Sequence, residues 1–278
     1  MQACLRIFRY NVITSASKPY TSIIHVMYKD TEVPSRWKRS AQSWITMNKE
    51  FAYCFWTDAE LEAFVADEYP WLLSTYHNYV HHIQRCDVVR YMLLYRYGGT
   101  YADLDIVCRT PLSVIFANTP SEAGVVVAPT TPSGYALDFI AVRRPRDPVI
   151  RGAISGLRRA AASWWYLPIP YASIMMRSGP RYFTRRLGCH DRQEQIFEIP
   201  WSVYPSYVDH VGGTSWHTWD AVFISYVFLR RYQILRLLIL LFAVAAVVWV
   251  FRARGWIADV LQKRFYHRLS AQNNTNSD

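Results

Sequence analysis

The sequence predicts an α/β domain with a largely parallel sheet, and three observations carry that prediction. Short apolar runs alternate with amphipathic stretches in strand–helix–strand–helix order from about residue 20 onward. Of the 278 residues, 51% are hydrophobic and 16% aromatic, enough for a sizeable core and unlike a disordered chain. An Asp-x-Asp pair follows a helical run and a Gly98-Gly99 turn, a pattern suited to the strand ends where open α/β sheets gather ligands.

Thr21–Tyr28 reads as a buried first strand, and Val33-Pro34-Ser35-Arg36-Trp37 as a turn into a helix running to about Asn48. Phe51–Trp56 is a second strand. Thr57 or Asp58 then caps a helix towards Tyr69, with Glu60 and Glu62 near its positive end, and Pro70 stops it. Four segments follow from composition: an N-terminal stretch 1–19, a globular domain 20–229, an apolar helix 232–252 and a basic polar tail 253–278. The apolar helix approaches the roughly 20 residues that a bilayer needs, with Arg236 snorkelling and Tyr232 and Trp249 near its ends, so a single-pass membrane span is expected. Its orientation stays open. The N-terminus has arginines where a signal peptide needs an apolar run, yet the positive charges after the span favour a lumenal domain.

The formal charge of +10 suits an anionic partner, but the basic residues form no single stripe, so nucleic acid is not expected. Five widely spaced cysteines (Cys4, Cys54, Cys86, Cys108 and Cys189) include no CxxC, which argues against a structural zinc site.

The chemistry concentrates between Gln84 and Asp105. Asp87, Arg90, Tyr91 and Leu94 recur at i, i+3, i+4 and i+7 and share a helix face. Thr100–Asp105 reads as a short strand whose alternation sends Asp103 and Asp105 to one side, about 7 Å apart. Two such anions call for a cation or solvent between them, and a divalent metal sharing diphosphate oxygens meets that need. An ordinary surface ion pair for Asp87 and Arg90, and a solvated acidic loop for the Asp-x-Asp pair, are the bland alternatives.

The run Arg85-x-Asp87-x-x-Arg90-Tyr91, then Leu94, Gly98-Gly99-x-Tyr101-x-Asp103-x-Asp105, resembles the signature of the DXD-type sugar transferases. It is most similar to the catalytic subunits of mannosyl inositolphosphoceramide synthase, and more distantly to initiating mannosyltransferases and clostridial toxin glucosyltransferase domains. Ile23-Ile24-His25, Phe55-Trp56-Thr57-Asp58, Pro70-Trp71, Ser178-Gly179-Pro180 and Ser215-Trp216-His217-x-x-Asp220 fall in the same order.

The resemblance implies a nucleotide-diphospho-sugar transferase fold, a Rossmann-like mixed sheet with helices on both faces, followed here by the C-terminal transmembrane helix. It implies retaining transfer with Mn2+ or Mg2+, in which Asp103, Asp105 and His217 hold the metal. Asp103, Asp105 and Arg90 would be catalytic. Asp87, Arg90 and Tyr91 would bind the donor, His25 and Trp56 would line the nucleotide pocket, and Ser215 and Trp216 would add to the substrate site. The implied donor is a nucleotide sugar, GDP-mannose before a UDP-sugar. The acceptor is a lipid or glycan such as inositol phosphoceramide, the setting a Golgi or other endomembrane, and a regulatory subunit is a further partner. Two other readings of the same acids are a metal-dependent phosphohydrolase and a non-catalytic membrane scaffold or lectin.

Overall fold

The computed structural model describes residues 20–131, 134–163, 169–212 and 219–275, without the side chains of Ser225, Val247, Val250, Phe251 and 253–275. The chain divides into two compact units, Met1–Val222 and Phe223–Asp278. In the first, β1 (Ile23–Tyr28), α1 (Lys38–Met47), β2 (Ala52–Thr57), α2 (Asp58–Glu68), α3 (Pro70–His77), α4 (His82–Tyr97), β3 (Gly99–Ala102) and β4 (Ile106–Cys108) come in order. They are followed by α5 (Leu112–Ala117), β5 (Val125–Pro129), β6 (Tyr135–Val142), α6 (Pro148–Ser155), α7 (Leu157–Ser163), α8 (Pro170–Arg177), α9 (Pro180–Gly188), β7 (Ile196–Glu198), α10 (Tyr204–Tyr207) and β8 (Val208–His210). The last helix, α11 (Trp219–Thr275), runs into the second unit.

Among the described residues, one sheet has the order β2-β1-β3-β6-β5-β7 and a two-stranded ribbon pairs β4 with β8. The sheet is mixed: β1 is parallel to β2 and β3, and β5 to β7, whereas β6 runs antiparallel to β3 and β5. Strand alternation divides the core. Val125, Val127, Leu137 and Ile140 pack with residues of α2, α3, α4, α6 and α9. Val126, Ala128, Ala136 and Phe139 face Trp44 of α1, β4 and α5.

Local signals place the elements. The Thr57 hydroxyl accepts from the Glu60 N–H at 3.4 Å while Glu60 Oε2 accepts from the Thr57 N–H at 2.9 Å, a capping box that starts α2. Pro70 both ends that helix and opens α3 at its first position, where its missing N–H costs nothing. On α4, Val88, Val89, Met92, Leu93 and Leu94 are fully buried, each stabilising by roughly 1.5–3 kcal/mol. Gly98 (φ +66) and Gly99 (φ +87) then turn the chain into β3. A Cβ on Gly99 would collide with the Ile23 carbonyl oxygen, so only glycine lets β3 lie against β1 at this point.

Two expectations are corrected. The strand carrying the Asp-x-Asp pair stops at Ala102: the Asp103 N–H makes a last ladder bond to Asp138 O (2.8 Å), and Asp103 O then accepts from Ile106 N (3.1 Å), closing a turn. The two carboxylates therefore project from a turn, not from alternate positions of a strand. The transmembrane helix expected over 232–252 lies within α11, but among the described residues no helix is long and apolar enough to cross a membrane. The uninterrupted apolar run there, Leu237–Phe251, lies between Arg236 and Arg252 and follows Arg230 and Arg231. Its 15 residues rise about 22 Å at 1.5 Å per residue, short of a ~30 Å hydrocarbon core.

Candidate active site

The strand order reverses at β1, with β2 on one side and β3 on the other, and open α/β sheets form their ligand crevice at such a point, beyond the carboxyl ends of the strands. Here the ends of β1 and β3 deliver Lys29 and Asp103. Because β6 is antiparallel to β3, its early residue Asp138 arrives at the same end. The β4–β8 ribbon adds His210, paired with Ile106, and Val211 N donates to Asp105 O at 2.9 Å.

The centre of the crevice is a cavity of about 290 Å³ lined by Asp87, Arg90, Asp103, Asp105, Asp138 and His210 among others. Arg90 is its buried support. Nη1 donates to Leu137 O at 2.6 Å and Nε to Cys86 O at 3.3 Å; Nη2 lies 3.5 Å from Asp87 Oδ1 and Nη1 3.8 Å from Asp103 Oδ1. The guanidinium also stacks 4.7 Å over the ring of Tyr101, whose hydroxyl donates to Asp103 Oδ1. Those carboxylates and rings keep Arg90 charged despite its burial, raising its pKa. Asp87 receives the Ser178 hydroxyl at 3.0 Å, yet burial outweighs Arg90 and Ser178 and pushes its carboxyl up to about 7.

Negative charge is in surplus at the mouth. Burial first, and then the charges of Asp103 and Asp105, push the Asp138 carboxyl up to about 6 against the pull of His210 and Arg90. Burial and Asp103 likewise raise Asp105. Asp138 Oδ1 is buried without a hydrogen-bond partner, while Oδ2 lies 3.6 Å from His210 Nε2. These hard oxygen donors suit a divalent cation. Among the described residues, no group of three His, Cys, Asp or Glu side chains is gathered as a metal site.

The predicted residues divide into three groups. Asp87, Arg90, Asp103 and Asp105 come together in the cleft. His25, Trp56 and Tyr91 do not reach it. His25 is buried in the core with Nε2 3.0 Å from Gly98 O, and its Nδ1 accepts from Trp56 Nε1 at 3.2 Å. Burial holds that imidazole neutral, lowering its pKa to about 4. Tyr91 stacks on Phe183 and donates to Ser178 O at 2.7 Å, fixing the turn that holds Asp87. These three act on the cleft only through the elements they join. Ser215, Trp216 and His217 lie outside the described residues. Asp220, from the same closing motif, accepts from the Tyr171 N–H at 2.7 Å and so caps α8.

Sequence reasoning missed Asp138 and His210. The signal for Asp138 was present, a single carboxylate inside the apolar run Tyr135–Val142, where an unpaired charge is costly. His210, at the end of a three-residue strand, offers no comparable signal.

With this geometry in hand, residues 34–122 match the family described as a glycosyltransferase sugar-binding region containing a DXD motif. This segment is a DXD glycosyltransferase region. It contains α4, Arg90 and the Asp103/Asp105 pair and stops short of Asp138 and His210. Over 211 residues the chain is 35% identical to inositol phosphoceramide mannosyltransferase 2 of Schizosaccharomyces pombe, covering 72% of this chain and 59% of that protein. Inositol phosphoceramide mannosyltransferase 3 of the same yeast is 29% identical (79% and 62% covered), and mannosyl phosphorylinositol ceramide synthase SUR1 of Saccharomyces cerevisiae is 32% identical (72% and 52%). The chain thus spans between about half and three-fifths of the length of these relatives. Among solved structures, the PaToxG glycosyltransferase aligns with a TM-score of 0.46 and 16% identity, over 63% of this chain and 70% of that one.

Proposed function

We propose that this chain carries out metal-assisted, retaining transfer of mannose from GDP-mannose to inositol phosphoceramide. The observation that carries the reading is the Asp103/Asp105 turn at the switch point, braced from behind by Arg90 and Tyr101 and bearing more negative charge than its surroundings neutralise. The names of the relatives supply the sugar and acceptor.

A divalent cation bound there, Mn2+ or Mg2+, would neutralise the diphosphate and ease departure of the nucleoside diphosphate. Asp103 and Asp105 would hold it, with diphosphate oxygens and water completing the shell. Arg90 spends its donors on protein groups, so its part is to fix Asp103 and Asp87 and to keep a positive charge behind the site. The lobe of the cleft beyond β1 suits the nucleotide: its cavity of about 310 Å³ is lined by Tyr28, Lys29 and Trp37, and Trp37 Nε1 is buried without a partner. Exposed Leu237, Leu238, Ile239, Leu240, Leu241 and Phe242 on α11 support an encounter with a membrane surface, where a lipid acceptor resides.

The test is to incubate the full chain in detergent with GDP-mannose and Mn2+, with and without inositol phosphoceramide. GDP release and mannosylated lipid should rise together when acceptor is added and stop with chelator. Release indifferent to acceptor would favour a phosphohydrolase, and no release from any nucleotide sugar would defeat the enzyme reading.

A further inference from the structure

Beyond Asp138 the cleft changes chemistry. A cavity of about 380 Å³ there is lined by Thr130, Asp138, Trp201, Tyr204, Asp209 and His210 among others. It shares Thr130, Ala136, Asp138 and His210 with the central cavity, so the two adjoin. Trp201 is 53% exposed, large for a tryptophan, and is held edge-on against Tyr204 with ring centroids 6.2 Å apart at 90°. Tyr204 is itself buried, and its hydroxyl lies 3.0 Å from His210 Nε2. An apolar ring is thereby set beside a row of polar groups.

The charge of this lobe selects its ligand. Among the described residues no Lys or Arg lines it, whereas the opposite lobe has Lys29 and Arg90. A diphosphate would meet the carboxylates of Asp138 and Asp209, and Arg109, which pairs with Asp209 Oδ2 at 2.5 Å, is not part of the lining. A hydrocarbon chain would take the Asp138 and Asp209 carboxylates out of water and give them no donor. A neutral ring bearing hydroxyls answers both constraints: hydroxyl donors reach the carboxylates, and the C–H face covers the indole.

We propose that this lobe binds the neutral polyol ring of the acceptor, with Trp201 as its platform and Asp138 and Asp209 accepting from its hydroxyls. The proposal rests on the transfer reading above and deepens it, since it sets the acceptor's attacking hydroxyl next to the Asp103/Asp105 centre across Asp138 and His210. Trp201 is a specificity residue in this account and does not touch the nucleotide.

Two readouts test it. Saturation-transfer NMR of the full chain with free myo-inositol should show transfer to the ring C–H protons, lost in Trp201→Ala and kept in Trp201→Phe. In turnover, Trp201→Ala should raise the KM for inositol phosphoceramide about tenfold, with the KM for GDP-mannose within twofold of wild type. Circular dichroism melting shows whether the variants fold, and the phenylalanine variant answers the question if the alanine one does not. Inositol signals in wild type that vanish in Trp201→Ala support the site even if no transfer is found, in which case only the transfer reading fails. Equal inositol signals in wild type and Trp201→Ala, or an unchanged acceptor KM, overturn the proposal.

Discussion

Replacing Arg90 by lysine keeps the charge and removes the planar fork. Arg90 serves Leu137 O and Cys86 O by hydrogen bonds, lies within ion-pair range of Asp87 and Asp103, and stacks on Tyr101. An ammonium is a single point on a flexible stem and can serve one or two of these groups at once. At about 1.5–3 kcal/mol per charged hydrogen bond lost, with buried carbonyls and a carboxylate left short of partners, the expected cost is about 3–5 kcal/mol. For a domain of this size that is a fall in melting temperature of about 10 °C. Thermal denaturation followed by circular dichroism measures it, and the same samples should lose about 100-fold in turnover as Asp103 moves off its anchor. A variant melting within about 2 °C of wild type would refute the placement of Arg90 as the brace of the site.

Asp87 sets a pH dependence of stability. Its carboxyl is raised in the fold by burial to about 7 from its ordinary value of 3.8, so folding takes up a proton between those values. Its contribution is fully present below about pH 4 and is lost as pH rises through 7. Urea denaturation should show wild type losing stability relative to Asp87→Asn across that window, and parallel profiles would contradict the burial cause. Burial also pushes the Cys86 thiol up to about 12, whereas Cys189 is exposed. Iodoacetamide at pH 8 should therefore label Cys189 well before Cys86, as read by peptide mass spectrometry; the reverse order would contradict the packing around α4.

Much of the fold was legible because its signals are local. The buried runs at Ile23–Tyr28 and Ala52–Thr57, the Thr57–Glu60 capping box and the stop at Pro70 all act within a few residues. The core of the site was legible for the same reason, since one helix, two glycines and a turn carry Asp87, Arg90, Asp103 and Asp105 contiguously. What escaped depends on long-range pairing. Asp138 reaches the cleft only because β6 runs antiparallel beside β3, and His210 only because β8 pairs with β4, more than a hundred residues away in the chain. The family resemblance implies a pocket role for His25 and Trp56; their mutual hydrogen bond in the core is a tertiary fact that spacing does not encode.

The most direct test of the central claim is calorimetric titration of GDP into the full chain with Mn2+ present, repeated with chelator and with Asp105→Asn. Binding that needs the cation and falls at least tenfold in the variant is the predicted result. GDP binding equally well with chelator, or unchanged in Asp105→Asn, would contradict the assignment of this turn as the cation and diphosphate site.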